Sequence, residues 1–228
     1  MVYGDILSFL FKEEFIMTKN AYQKESEAAL GYPLDPKPNE KLELNFPNWG
    51  ALGPNGATSM YNTLNHYKEL TELDVSKLDI SKLTNMGYMF ANYCELTNLD
   101  LSNWDTSKVT NMGSMFIGCE SLTNLDVSKF DTSKVTDMYN MFAECYELTN
   151  LDVSRRDTSS VTDMDNMFSV YFREMKLTTI TGVIDMKSCT SYNNMFHNCT
   201  KLTGVKIKNP PSGFNGGGLS SSQYTIVS

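Results

Sequence analysis

The sequence predicts an α/β repeat solenoid, a right-handed stack of short parallel strands with short helices or turns on the opposite face. Three observations predict it. A leucine recurs at Leu70, Leu96, Leu122, Leu148, Leu177 and Leu202, in steps of 26, 26, 26, 29 and 25 residues. A Met-Phe pair keeps the same time at Met89-Phe90, Met115-Phe116, Met141-Phe142, Met167-Phe168 and Met195-Phe196. Within each period the apolar spacing changes from two to three and four, as it does where a strand gives way to a helical turn.

The strand lies at the start of each unit. Leu99 and Leu101 are two residues apart and point to one side, leaving Asn98 and Asp100 on the other. Farther on, Val109, Met112, Met115, Phe116 and Cys119 are spaced by three and four, which predicts a short helix burying that side. Asp105-Thr106-Ser107 and Thr110 supply the short oxygens favoured at turns and helix N-caps, and Gly118 is placed to end the helix. One unit cannot cover its own apolar edge. Stacked units can, at roughly 1.5–3 kcal/mol per buried Leu, Met or Phe.

The flanks divide the chain further. Residues 1–39 read as a helical arm and a Pro-rich linker, with Ala21, Ala28, Ala29 and Leu30 among Lys and Glu before Pro33, Pro36 and Pro38. Residues 40–69 read as an N-terminal cap: Leu42–Phe46 alternates as a short strand, and Met60-Tyr61 takes the Met-Phe place in a degenerate first turn. Residues 70–208 are the stack. Residues 209–228 carry Pro210-Pro211 and Gly216-Gly217-Gly218, then Gln223–Val227 as a terminal cap strand. The Phe11–Ile16 stretch implies purine-rich codons just upstream of Met17, so Met17 stands beside Met1 as an alternative translation start.

Composition narrows the function. A net charge of −8 argues against nucleic acid, whose phosphates call for a basic face. No stretch reaches the roughly 18 apolar residues of a membrane span. Ile6–Phe11 has neither a basic leader nor a small-residue cleavage site after it, so no secretory signal is expected. Of five cysteines, Cys119, Cys145 and Cys199 each follow a Met-Phe phenylalanine by three residues, where Tyr93 and Tyr171 stand in other copies. Cys189 falls in a column otherwise filled by Leu83, Val109, Val135 and Val161. These are packing positions rather than a disulfide or zinc framework. His66 and His197 stand beside no nucleophile and acid at recognisable spacing, and no phosphate-binding, esterase or zinc-protease motif occurs. Neither an enzyme nor a cofactor is expected.

Binding is the remaining class. In-register stacking turns Asp74, Asp100, Asp126 and Asp152 into a column spaced about 4.8 Å apart, continued by Thr181 and Lys206. Beside it run Glu72, Asn98, Asn124, Asn150 and Thr179. This strand face reads either as a site for cations, a basic peptide or polar glycan groups, or as a solvated edge whose aspartates bond backbone. A second column, Asp79, Asp105, Asp131, Asp157 and Asp185, reads as turn structure. Trp104 and Phe130 read as packed on each other. The fourth copy carries three extra residues, so that Ser169–Lys176 bears Tyr171, Phe172 and Arg173, residue types enriched at interface hot spots. Arg155 and Arg156 lie one turn earlier.

The run L-T-x-L-D-[LV]-S-x-x-D-T-S-x-V-T-x-M-x-x-M-F, starting at Leu96, Leu122 and Leu148, resembles the 26-residue surface-protein repeat of the BspA-like leucine-rich-repeat family. The resemblance covers roughly residues 58–208. It implies a leucine-rich-repeat-like fold and a non-enzymatic module binding a protein or glycan, in surface adhesion or host and receptor contact, on a bacterial cell surface or secreted. The usual asparagine of such repeats is here Leu78, Trp104, Phe130 or Arg156, so no asparagine ladder is expected. The alternative is a structural or decoration subunit of a larger assembly such as a bacteriophage virion, docked to a scaffold through residues 1–45.

Overall fold

Where the backbone amides go decides the architecture. A computed structural model describes residues 42–43, 70–76, 78 and 80–228. The expected arm, linker and Met17 start lie outside the described residues, as does all of the expected cap except Leu42 and Glu43. Among the described residues nine short strands follow in order: β1 Leu42–Glu43, β2 Leu73–Asp74, β3 Asn98–Leu99, β4 Asn124–Leu125, β5 Asn150–Asp152, β6 Thr179–Thr181, β7 Ile184–Asp185, β8 Val205–Lys208 and β9 Tyr224–Val227. Every pair is parallel, in small sheets ordered β1-β2, β3-β4, β5-β6 and β7-β8-β9. The register follows the repeat: Asn98 pairs with Asn124, Leu99 with Leu125, and Leu151 with Ile180. A bridge from Glu72 to Asn98 carries the stack across from β2 to β3. A second line of bridges, Asn85 to Asn111 to Asp137 to Asp163 to Ser191, joins the copies at the other side of each unit.

No helix forms among the described residues, which corrects the expectation of a short helix at Val109–Cys119. The spacing is right but the backbone is not. Ser114 has φ of +56° and Gly118 of +70°; Tyr88, Asn92, Asn140, Glu144, Asn166, Asn194 and Asn198 repeat the pattern in other copies. A left-handed residue every fourth position is incompatible with an α-helix. Alternate amides leave the unit altogether: the N–H groups of Met112, Ser114, Phe116 and Gly118 donate to the carbonyls of Asp137, Tyr139, Met141 and Ala143 in the next copy. Those between fold back three residues, Met115 to Met112, Ile117 to Ser114 and Cys119 to Phe116. The Gly113 amide donates to Asn111 Oδ1 at 2.9 Å. The segment is thus a chain of turns sharing a ladder with its neighbours, and every amide is satisfied without a helix. Successive three-residue turns still carry Met112, Met115, Phe116 and Cys119 inward, and all four are fully buried.

Gly113 shows how closely copies approach. A Cβ there would lie 3.0 Å from Asp137 Oδ1 of the next unit. The core is made of columns. Phe90, Phe116, Phe142, Phe168 and Phe196 stack ring on ring at centroid separations of 5.7, 5.7, 5.4 and 5.3 Å. Cys119, Cys145 and Cys199 are buried and direct their thiols at the carbonyls of Phe90, Phe116 and Phe168 at 3.1, 3.1 and 3.2 Å. Burial pushes the Cys145 and Cys199 thiols up to about 12 and that of Cys189 up to about 11, so all three stay protonated at neutral pH. Trp104 and Phe130 are buried, and Trp104 stacks on Phe90 at 5.7 Å.

Threonine stitches the turns together. Thr106 is buried, donates from Oγ1 to the carbonyl of Asp131 at 3.1 Å, and accepts the Asp131 amide at 2.8 Å. Thr132 and Thr158 donate in the same way to Asp157 and Asp185, both at 2.9 Å. On the surface, Thr110, Thr136, Thr162 and Thr190 each donate to the carbonyl of the threonine one copy earlier. At the far end, Phe196 is capped by the Gly216–Gly218 turn, where the Phe196 amide donates to the Gly217 carbonyl at 2.7 Å. Strand β9 then lies on β8, with Tyr224 packed edge-on against Phe214.

Candidate functional site

Two surfaces carry the residues singled out from the sequence. On the strand face, alternation inside β3, β4 and β5 buries Leu99, Leu125 and Leu151 and exposes Asn98, Asn124 and Asn150. Parallel pairing places Asn98 opposite Asn124, and Asn150 opposite Thr179. Asp100, Asp126 and Asp152 are exposed beside them, and Asp74 is half-buried. Each aspartate is partly engaged: Oδ1 of Asp74, Asp100, Asp126 and Asp152 accepts the amide of Ser76, Ser102, Ser128 and Ser154 at 2.9, 2.9, 2.7 and 2.8 Å. The backbone hydrogen bond from Ser102, with its hydroxyl, holds the Asp100 carboxyl below the usual range; the Ser128 and Ser154 hydroxyls and amides do the same for Asp126 and Asp152. Asp100, Asp126 and Asp152 are therefore exposed, ionised carboxylates, each with Oδ1 engaged by its own turn.

The turn column behaves similarly. Asp105, Asp131 and Asp157 accept the amides of Ser107, Ser133 and Ser159, and Lys108 and Lys134 reach back to the carbonyls of Ser81 and Ser107 at 2.9 Å. Asp79 lies outside the described residues.

The second surface is the insertion, Ser169–Lys176. Its three candidate residues meet different fates. Arg173 folds back over the stack: its guanidinium lies 3.9 Å above the Tyr146 ring centre and pairs with Glu120 at 3.0 Å. Tyr171 donates its hydroxyl to Asn166 Oδ1 at 2.7 Å, rests against His197 at 5.2 Å, and gives its amide to Glu144 Oε1 at 3.0 Å. Phe172 between them is 90% exposed. The base of the loop is tied by Lys176 to Glu147 at 2.5 Å and by Glu174 to Thr200 at 3.0 Å and Lys201 at 3.3 Å. Tyr146 hydroxyl donates to Glu144 Oε2. Burial raises the Glu144 carboxyl above its ordinary value, against the opposing hydrogen bond from the Tyr171 amide.

Sequence reasoning missed these anchors. Glu120 and Tyr146 occupy one repeat position, filled by Cys94 a copy earlier. A repeat position whose residues refuse to repeat was the available signal, and it lay 27 to 53 residues from the arginine it anchors.

Arg156 is the other departure. It stands in the column of Leu78, Trp104 and Phe130, half-buried, with Nε and Nη2 enclosed and without a hydrogen-bond partner among the described residues. Beneath it a cavity of about 30 Å³ is lined by Phe130, Phe142, Met138, Met141 and Met167, among others. Burial draws its pKa below the usual arginine value, against the pull of Asp152 and Asp126.

Among the described residues no helix is long and apolar enough to cross a membrane, and no group of three or more His, Cys, Asp or Glu is placed to hold a metal ion. No curated protein and no solved structure matches this chain. A family model does match, over residues 58–180 and again over 150–209, which together take in every unit from Leu70 to Lys208. The chain belongs to the family described as Mycoplasma protein of unknown function, DUF285.

Proposed function

We propose that the chain is a non-enzymatic binding module: a right-handed, leucine-rich-repeat-like solenoid of the BspA-like kind whose exposed side chains hold a protein or glycan on a cell or particle surface. One observation carries this reading. Asn98 pairs with Asn124 across β3 and β4 and Asn150 with Thr179 across β5 and β6, and the exposed Asp100, Asp126 and Asp152 stand two residues after these asparagines in each copy, so a repeated polar array is held by paired backbone before any ligand arrives. Adjacent carboxylates about 4.8 Å apart repel by roughly 0.9 kcal/mol even in bulk water, a cost that a cationic or hydrogen-bonding partner would relieve.

A second reading has its own support. The family match begins at residue 58, which leaves the expected arm within residues 1–45 outside the matched repeats. That fits an arm that docks the stack, as a structural or decoration subunit, to a scaffold such as a virion.

Sedimentation of a native extract on a density gradient separates the two. Travel with membrane or wall supports adhesion, travel with a discrete particle supports the assembly subunit, and a free monomer counts against both. The array is tested by Asp100→Asn with Asp126→Asn, which removes two charges but keeps the acceptor oxygen for the Ser102 and Ser128 amides. Association is expected to fall while the melting temperature holds. Unchanged association discards the strand face.

A further inference from the structure

We propose that the Ser169–Lys176 insertion is a preformed docking knob, with Phe172 at its tip, that enters an apolar pocket with a basic rim on a protein partner. The inference rests on the binding-module reading and names the contact that does the binding.

A solvated phenylalanine on a loose loop would mean little. Here the residues on both sides of it are fastened. Before it, the Val170 amide donates to the His197 carbonyl at 3.0 Å and the Val170 carbonyl accepts Asn198 Nδ2 at 2.9 Å. Tyr171 is held at its amide, its ring and its hydroxyl by Glu144, His197 and Asn166. After it, Arg173 reaches back two copies to Glu120 while covering Tyr146, and the Lys176 amide donates to the Tyr146 carbonyl at 2.9 Å. The loop is thereby braced on the second, third, fourth and fifth units, and Phe172, 90% exposed against 51% for Tyr171, is the apolar side chain it holds out to solvent. An exposed aromatic whose backbone is already ordered gives up little conformational entropy on docking, which is the property of an interface anchor.

The collar of charge specifies the partner. Around the knob stand Glu120, Glu144, Glu147 and Glu174 against Arg173, Lys176 and Lys201. Each cation is paired with one of these carboxylates, so the collar is net negative, on a chain of net charge −8. Lysine or arginine around the receiving pocket complements that collar. An anionic lipid surface does not, and one phenylalanine without basic neighbours free to meet headgroups is a poor membrane anchor.

The test uses the full chain in the same gradient. Phe172→Ala is expected to keep the wild-type melting temperature, because the side chain packs on nothing, and to lose association at least tenfold; Phe172→Trp is expected to retain it. Wild type co-sedimenting with Phe172→Ala unchanged overturns the knob and leaves the module reading standing. Wild type running as a free monomer removes the module reading first. Phe172→p-benzoylphenylalanine then photocrosslinks the contact in that extract. An adduct mapped to an apolar pocket flanked by Lys or Arg is expected. No protein adduct, an adduct on an acidic or polar surface, or Phe172-dependent co-sedimentation with phosphatidylglycerol–phosphatidylcholine vesicles overturns the proposal.

Discussion

Arg156 interrupts a column that otherwise holds Leu78, Trp104 and Phe130. An arginine there leaves two enclosed nitrogens unpaired among the described residues and a cavity of about 30 Å³ against Phe130. Both are unfavourable: cavities cost about 24 cal/mol per Å³, and an unsatisfied buried donor about 1–3 kcal/mol. Arg156→Phe should therefore raise stability by about 1 kcal/mol, the loss of attraction to Asp126 and Asp152 being small at a half-exposed site. Urea unfolding of the two proteins measures it; a lower midpoint for the variant would show that the ring does not fit.

Protonation acts at the same scale, in two directions. Asp100, Asp126, Asp152, Asp105, Asp131 and Asp157 have carboxyls held below 3.8 by their turn hydrogen bonds. Their contribution to stability is present above that value and is lost as pH falls through their folded values. Glu144, raised above 4.5 chiefly by burial, has the opposite sign: its contribution is present below 4.5 and is lost as pH rises through the folded value. Glu144→Gln should thus be slightly more stable than wild type at neutral pH, by well under 1 kcal/mol after solvent screening, with the difference vanishing below pH 4.5. Melting curves from pH 3 to pH 8 would show it, and a difference that grew on acidification would contradict the assignment.

At the scale of the element, the joint between units is a threonine. Thr106 Oγ1 both donates to and accepts from the backbone of Asp131, so one hydroxyl serves two groups of the next copy. Thr106→Val keeps the volume and removes both bonds, which should cost about 1–3 kcal/mol. Thr110→Val, at the surface, removes one bond that water can replace and should cost far less. Equal losses in denaturant unfolding would mean that the buried hydroxyl has no special role.

For the whole molecule, identical joints make units interchangeable. Removing residues 96–121 deletes one full period and joins Glu95 to Leu122, which restores the register of strands, phenylalanines and threonines alike. Such a chain should keep its circular dichroism and unfold cooperatively at a modestly lower temperature, as expected when stability is a sum over units and nearest-neighbour joints. Removing half a period, residues 109–121, should abolish folding, because apolar columns would then face polar ones. A half-period deletion that melted like the full-period one would refute a stack held by register.

The 26-residue period, the inward leucines of the strands and the Met-Phe and cysteine columns could all be read from the sequence, because identical residues at a fixed step have one economical packing, on each other. The strand-face asparagines and aspartates followed from the same alternation. The helix did not survive. Spacing by three and four says which side chains face inward, but a chain of three-residue turns satisfies that spacing as well as a helix does. Only the neighbouring copy decided between them, by taking the amides of Met112, Ser114, Phe116 and Gly118 that a helix would have used internally. The loop shows the same limit. Its composition marked Tyr171, Phe172 and Arg173 together, and the tertiary structure separated them: Arg173 found Glu120 and Tyr146 up to 53 residues away, Tyr171 found Glu144 and His197, and Phe172 was left 90% exposed. Periodicity is local information and was sufficient for the stack. Which side chain remains available depends on contacts across copies, which the spacing along one copy does not encode.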